Sequence, residues 1–213
     1  MRRRDLLLAP LTMVGAPANA YENCQWSMQG RMCEVGVSLP EMIETYQSQQ
    51  ASQWCWAASI AMIFRHYDYD VSQTTIVRTL YGTLTNLPAF TTAQIAQLLS
   101  RDWTDDNGRR FRCRVRAAYD VFFGITGITN SYIVRELRAE RPLLYCNRSH
   151  AMVLTAVAFI QTPMGPQIVN VGFADPYPGM GIRGPRGGEA YPAHAGGEMT
   201  FLASPSVTNL DEE

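Results

Sequence analysis

The sequence predicts an α+β fold, a helical first half followed by an antiparallel, strand-rich second half. Three observations carry this. The run Trp56 to Phe64 is apolar but for Ser59, holds no Gly or Pro, and suits a buried helix. Arg112-Cys113-Arg114-Val115-Arg116 alternates in the manner of a half-buried strand. Ala151 to Val157 is almost wholly apolar, as expected of a central strand covered on both faces, and Pro163-Met164-Gly165-Pro166 turns the chain into a returning run, Ile168 to Phe173.

Taken in order, residues 1–20 stand outside this fold. Three arginines precede a short apolar region, Leu6 to Ala16, and Ala18-Asn19-Ala20 offers small residues for cleavage. That is the layout of a secretory signal peptide, and the apolar stretch is too short to span a bilayer. Arg3-Arg4-Asp5-Leu6-Leu7 also resembles a twin-arginine signal, so the route, Sec or twin-arginine, stays open. Residues 21–213 then form one expected domain. Tyr21 to Pro40 reads as a short hairpin with an extended lead-in, Arg31 to Leu39. The buried helix follows, entered at Cys55 and with Ser52 as a possible cap. Ser72 is placed to cap a helix over Thr74 to Tyr81 that Gly82 stops. Thr91 to Leu99 forms a third helix with Ile95, Leu98 and Leu99 on one face. Asp102 to Arg110 is polar and reads as a surface loop. After the Arg112–Arg116 strand, Asn130-Ser131-Tyr132 starts a helix over Ile133 to Glu140, which ends before Pro142. Leu143-Leu144-Tyr145 begins the run of strands, Met199 to Leu202 returns to the sheet, and Asn209 to Glu213 is expected to fray.

The formal net charge is −1, and every basic residue other than histidine is arginine. Loss of the arginine-headed leader makes the remainder more acidic, which argues against a nucleic-acid binder. No second apolar run is long enough for stable membrane insertion, and no heptad or internal repeat points to an oligomer, so a monomer is expected. The five cysteines are Cys24, Cys33, Cys55, Cys113 and Cys146. An odd count in an exported chain suggests pairs with one left over. Cys55 is the natural odd one, and of three connectivities the favoured one is Cys24–Cys33 with Cys113–Cys146. No Cys-x2-Cys or Cys/His ligand spacing occurs, so neither a metal nor another cofactor is implied.

Two stretches carry chemistry. In Gln49-Gln50-Ala51-Ser52-Gln53-Trp54-Cys55-Trp56-Ala57-Ala58-Ser59, the cysteine opens a helix, where unpaired N–H groups and the positive end of the dipole favour thiolate over thiol. Gln49, six residues earlier, has an amide able to donate a hydrogen bond, with Gln50 and Gln53 as alternatives. The second is Ser149-His150-Ala151-Met152-Val153-Leu154, with His150 at the head of the apolar strand. Folding the hairpin about Met164 returns Ala174-Asp175-Pro176 to the end where His150 sits. A carboxylate there can accept the second ring N–H, fixing the tautomer. Taken singly, Cys55 could be a buried apolar thiol and His150 a core histidine bonded to backbone.

Gln-x5-Cys-Trp-Ala, a strand-heading histidine about a hundred residues on, and Ala-Asp-Pro after the next strand resemble the papain-like cysteine peptidases. The phrase Gln-Trp-Cys-Trp-Ala-Ala-Ser is closer to bacterial secreted effectors of that kind, and staphopains and the peptidase domains of bacteriocin exporters have related layouts. The resemblance spans about residues 44–180. It implies that Cys55 is a nucleophile, His150 its base, Asp175 the third member in place of papain's asparagine, and Gln49 with the Cys55 N–H an oxyanion hole. A protein or peptide is then the substrate and hydrolysis through a thioester the reaction. An amidase, deamidase or acyltransferase using the same triad, or a non-catalytic binding module of the same fold, are the other readings. His66 lies three helical turns beyond Cys55, roughly 16 Å, too far to serve it. His194 falls within Pro176 to Gly197, which is rich in Gly and Pro and reads as either a flap over the cleft or an uncommitted loop. Trp56 reads as cleft wall or core aromatic.

Overall fold

The computed structural model describes residues 20–28 and 30–211; the expected leader therefore lies outside the described residues but for Ala20. The fold is α+β. Strands β1 (Tyr21–Ser27) and β2 (Gly30–Gly36) form the expected hairpin, and helix α1 (Leu39–Thr45) follows. The expectation of an extended lead-in ends at Gly36: Ser38 caps Glu41, and Pro40 stands in the first turn of α1, where a missing N–H costs nothing. Helices α2 (Cys55–His66), α3 (Gln73–Tyr81) and α4 (Thr92–Leu98) come next. Ser72 caps α3 and Gly82 ends it in a left-handed conformation, both as expected. A capping box between Thr91 and Gln94 starts α4.

The presumed loop over Asp102–Arg110 is instead a hairpin. Strand β3 (Asp102–Thr104) pairs with β4 (Arg110–Asp120), and the buried Asp105 carboxylate accepts the N–H groups of Asn107 and Arg109 across the turn. A short β5 (Ile125–Thr126), helix α5 (Asn130–Arg138), β6 (Leu143–Cys146), β7 (Ala151–Thr162), β8 (Gly165–Asp175), β9 (Gly181–Arg183) and β10 (Phe201–Asn209) complete the chain. Of the end expected to fray, Asn209 pairs with Phe111 and Leu210 donates to the Arg110 carbonyl, while residues 212 and 213 lie outside the described residues.

The strands make one antiparallel sheet in the order β1-β2-β7-β6-β10-β4-β3. Long β7 lies at its middle. β8 covers one edge of it, and the other is shared by β6, beside residues 151–154, and β2, beside 156–160. That accounts for the nearly unbroken apolar reading of β7, whose first five residues are all buried. Helix α2 packs on β7 and β6 with every residue from Trp56 to Phe64 buried. Phe64 meets Trp103 and Phe111 edge-on at 5.2 and 5.0 Å, joining α2 to the β3–β4 hairpin. Glu136, buried on α5, ties that helix to the sheet through Arg116, Arg141 and Ser204. Burial opposes its charge, but the guanidinium of Arg141 and its other partners hold the carboxyl below the usual range.

Cys24 and Cys33 form a disulfide across the first hairpin, as expected. The other expected pair does not form: Cys113 and Cys146 are both free and buried. β10 runs between their strands, with Val207 opposite Cys113 and Phe201 opposite Cys146. Six residues along a strand is about 20 Å, far beyond disulfide reach.

Gly36 is a point of close approach. A Cβ there would stand 2.7 Å from the Ala156 Cβ and 2.9 Å from the Thr155 carbonyl oxygen. Gly36→Ala should therefore lower unfolding stability by about 1–3 kcal/mol, as overpacking does; a urea titration reads this directly, and an unchanged midpoint would show that β2 is free to move away from β7.

Candidate active site

Cys55 is the first residue of α2. No side chain caps that helix: Trp54 stands at the cap position, and Ser52 is used elsewhere, accepting a hydrogen bond from Asn86. The half-exposed thiol thus sits at a helix start without a side-chain cap. His150 immediately precedes β7. Its N–H and that of Ser149 both donate to the Asn147 side chain, at 2.8 and 3.0 Å, and its carbonyl accepts from Asn147 N, so the backbone carrying the ring is held in a tight turn.

Asp175 is the last residue of β8. β7 and β8 pair with Val153 opposite Ala174, which brings the head of one strand beside the end of the other. His150 Nε2 and Asp175 Oδ1 are 2.6 Å apart, and the Cys55 thiol is near enough to the same ring to raise its pKa. With Nε2 engaged by the carboxylate, Nδ1 is the nitrogen left for sulfur. Burial works against a charged ring, but the bond to Asp175 and the neighbouring Cys55 outweigh it, and the His150 pKa rises to about 9. Burial likewise works against a charged Asp175. The His150 bond, the Tyr177 N–H on Oδ1 at 2.9 Å and the Arg183 Nε on Oδ2 at 2.6 Å prevail, and its pKa falls to about 2.

Cys55 and His150 share one cavity of about 520 Å³. Its walls include Trp56, Ile95, Phe90, Phe122 and Phe123, and the three phenylalanines are each more than half exposed. The turn bearing Phe122 and Phe123 is fastened from below. Buried Asp120 accepts their N–H groups at 2.9 and 3.4 Å on one oxygen and the Thr92 hydroxyl at 2.5 Å on the other. The exposed rings are thus held in place by a buried carboxylate.

Gln49 is buried close by. Its backbone N–H donates to the Pro176 carbonyl at 2.8 Å, while the Tyr46 hydroxyl donates to the carbonyl of Asp175 at 3.0 Å. The segment ahead of Cys55 is therefore tied to the segment after β8. The Gln49 amide nitrogen donates to the Ala51 and Ser52 carbonyls, at 3.0 and 2.9 Å. Gln50 and Gln53 are held elsewhere by their N–H groups, on Gln73 and Asn86. Trp56 is core as well as wall: it is buried and meets Tyr81 edge-on at 6.3 Å. The aromatic beside His150 is Tyr177, also at 6.3 Å. His66 belongs to the far end of α2, with its ring on Glu41 and the Glu140 carbonyl. His194 is exposed and bonds the Tyr119 hydroxyl.

Two neighbours of Asp175 escaped the sequence reading. Arg183, on β9, contacts Asp175 directly, and Glu189 accepts two hydrogen bonds from Arg183. Both lie in the segment read as a flap or an uncommitted loop. Among the described residues no part of 176–197 lines the Cys55 cavity; Tyr177 stands beside the His150 ring, and Arg183 and Glu189 pack behind the acid. Two polar residues amid many Gly and Pro give little local signal of such a role.

No curated protein matches the chain by sequence. Among solved structures it is similar to the peptidase domain of Streptococcus ComA, a bifunctional ABC transporter involved in a quorum-sensing pathway. Identity is 18%, the match covers 77% of this chain and 97% of that one, and the TM-score is 0.39. The model of the Peptidase_C39 like family matches residues 44–181, a stretch that holds Gln49, Cys55, His150 and Asp175 alike. That is well over half of the chain, which belongs to the Peptidase_C39 like family of cysteine peptidases.

Proposed function

We propose that this chain is an exported cysteine peptidase that hydrolyses peptide bonds through Cys55, His150 and Asp175. The observation that carries the reading is an imidazole bonded to a buried carboxylate, with a thiol lining the same cavity. A ring with a pKa of about 9 is protonated at neutral pH and is ready to donate that proton. In this reading Cys55 reacts as the thiolate. The thiolate attacks the peptide carbonyl, and the Cys55 N–H at the helix start receives the developing oxyanion. The Gln49 amide joins it by giving up one of its two carbonyl partners. His150 protonates the leaving amine; it then takes a proton from water, which resolves the thioester. Asp175 keeps the ring oriented and steadies its charge throughout.

The exposed phenylalanines at positions 90, 122 and 123 favour substrates with an apolar side chain beside the scissile bond. Export is supported by the Cys24–Cys33 disulfide, which persists in oxidising compartments, and by the arginine-headed leader. No helix among the described residues is long and apolar enough to cross a membrane.

Cys55→Ala is expected to cut turnover of a denatured protein substrate at least about a thousandfold while leaving the fold intact. Equal cleavage by variant and wild type would remove Cys55 from the mechanism. Parallel assays with free-amine acceptors separate hydrolysis from acyl transfer: dominant amide formation would make the chain a transferase.

The pH dependence follows from His150. Its folded pKa is raised above the ordinary 6.5, so the charged ring is fully present below that value and is lost as pH climbs through about 9. The alkaline limb of kcat/KM should fall near pH 9. In Asp175→Asn it should move down by about one unit or more, because the main support of the ring charge is gone. A limb that stays in place would disconnect Asp175 from the reacting ring.

A further inference from the structure

We infer that Arg183 is a positioning residue for the reaction, locking the Asp175 carboxylate against His150, and that Glu189 is the clamp that locks Arg183. This role rests on the reading of Cys55, His150 and Asp175 as the reacting groups. Both residues lie just beyond the family-matched stretch.

The guanidinium has five N–H groups, and all five have acceptors. Nε donates to Asp175 Oδ2 at 2.6 Å. One terminal nitrogen donates to Glu189 Oε2 at 2.7 Å and to the Gly184 carbonyl at 2.8 Å. The other donates to Glu189 Oε1 at 3.0 Å and to Met152 Sδ at 2.9 Å. The group also lies over the Phe173 ring, 5.5 Å from its centre. A fork held at every hydrogen cannot swing, and it is largely buried, with a side-chain exposure of 12%. Glu189 is itself fixed by the Arg186 N–H at 2.7 Å.

Positioning follows from how Asp175 divides its oxygens. Oδ1 takes His150 and the Tyr177 N–H, while Oδ2 takes Arg183. A carboxylate held on one oxygen can turn about its Cβ–Cγ bond; held on both, it cannot. The charges alternate along the row: imidazolium, Asp175, Arg183, Glu189. Glu189 matters electrically as well, since an uncompensated guanidinium behind Asp175 would work against a proton on His150. The groups facing Asp175 are His150 from the head of β7, Arg183 from β9 with Glu189 behind it, the Tyr177 N–H from its own loop, and Tyr46 at its carbonyl. Those facing His150 are Cys55 from α2, Asp175 from β8 and the Tyr177 ring.

Removing Arg183 alone would strand Glu189 as a buried anion, so the decisive variant is the paired one, Arg183→Gln with Glu189→Gln. It should lower kcat about ten- to a hundredfold, in the range of lost supporting contacts behind a reacting group. KM should stay within about twofold, and the alkaline limb of kcat/KM should move to lower pH, because an Asp175 carboxylate free to turn supports the His150 charge less well. Arg183→Lys, with a charge but no fork, should recover part of kcat. Glu189→Gln alone should move the alkaline limb to lower pH, and it decides the matter if the paired variant does not fold. Wild-type kcat and unmoved limbs in the folded variants would overturn the role of Arg183, while an inactive Cys55→Ala leaves the triad standing. A kcat loss that merely tracks the unfolded fraction, with both limbs in place, would also overturn it. Turnover surviving in Cys55→Ala would overturn both readings together.

Discussion

A carboxylate almost wholly removed from water survives as an anion only where donors converge on it, and Asp175 has three: an imidazole, a backbone N–H and a guanidinium. The other features of the site depend on that balance. With Asp175 charged, the buried His150 ring can also carry charge, although its burial alone would strip the proton. With Nε2 fixed on Asp175, the ring can turn only Nδ1 toward Cys55. With the Asp175 and Pro176 carbonyls bonded to Tyr46 and Gln49, the residues leading into Cys55 are drawn to the same end of the sheet.

The hairpin that delivers Asp175 is not regular, and the irregularity is balanced. Two bulges interrupt the β7–β8 ladder. One places Thr155 as an extra residue on β7, and the other places Val169 as an extra on β8. Because a strand alternates faces with every residue, either bulge alone would slip Asp175 by one position and turn it away from His150. With one on each strand the slips cancel, and the pairing at Val153 and Ala174 matches that set by the turn at Thr162 and Gly165. Thr155 also bonds the Gly172 carbonyl through its hydroxyl and the Val37 N–H through its carbonyl, which fastens the β7 bulge to β8 and to the residue just past β2.

What could be read from the sequence and what could not divide along one physical line. The places of Cys55, His150 and Asp175 in the fold are legible because each marks the end of an element whose period is local: an apolar helix, an apolar strand and a strand returning from a tight turn. Ser72 and Gly82 were legible for the same reason. Ser52 was misassigned as a cap because its side chain serves Asn86, thirty-four residues away. A Cys113–Cys146 bridge would tie two strands, but β10, the last strand, inserts between them. The Asp102–Arg110 stretch looked like loop because a three-residue strand has too few positions to display alternation. The order of strands in a sheet is a long-range property, and no window of sequence contains it.

The segment after Asp175 is the strongest case of a local signal pointing the wrong way. Its glycines and prolines suggest looseness, yet they are what permit tight reversal. Tyr177 to Met180 closes a turn, Gly179 and Gly181 take positive φ values of 81° and 63°, and Gly181 lands opposite Asp175. Two residues later Arg183 sits opposite Phe173, on the face of the sheet that Asp175 shares, and a diagonal of that kind is within reach of a long side chain. A bulkier residue at position 181 would meet strain at that φ, and the reversal that carries Arg183 back to the acid would open. Glycine is therefore the means by which a basic side chain from an irregular stretch is brought to a buried acid, and the order at this site resides in the contacts of Arg183.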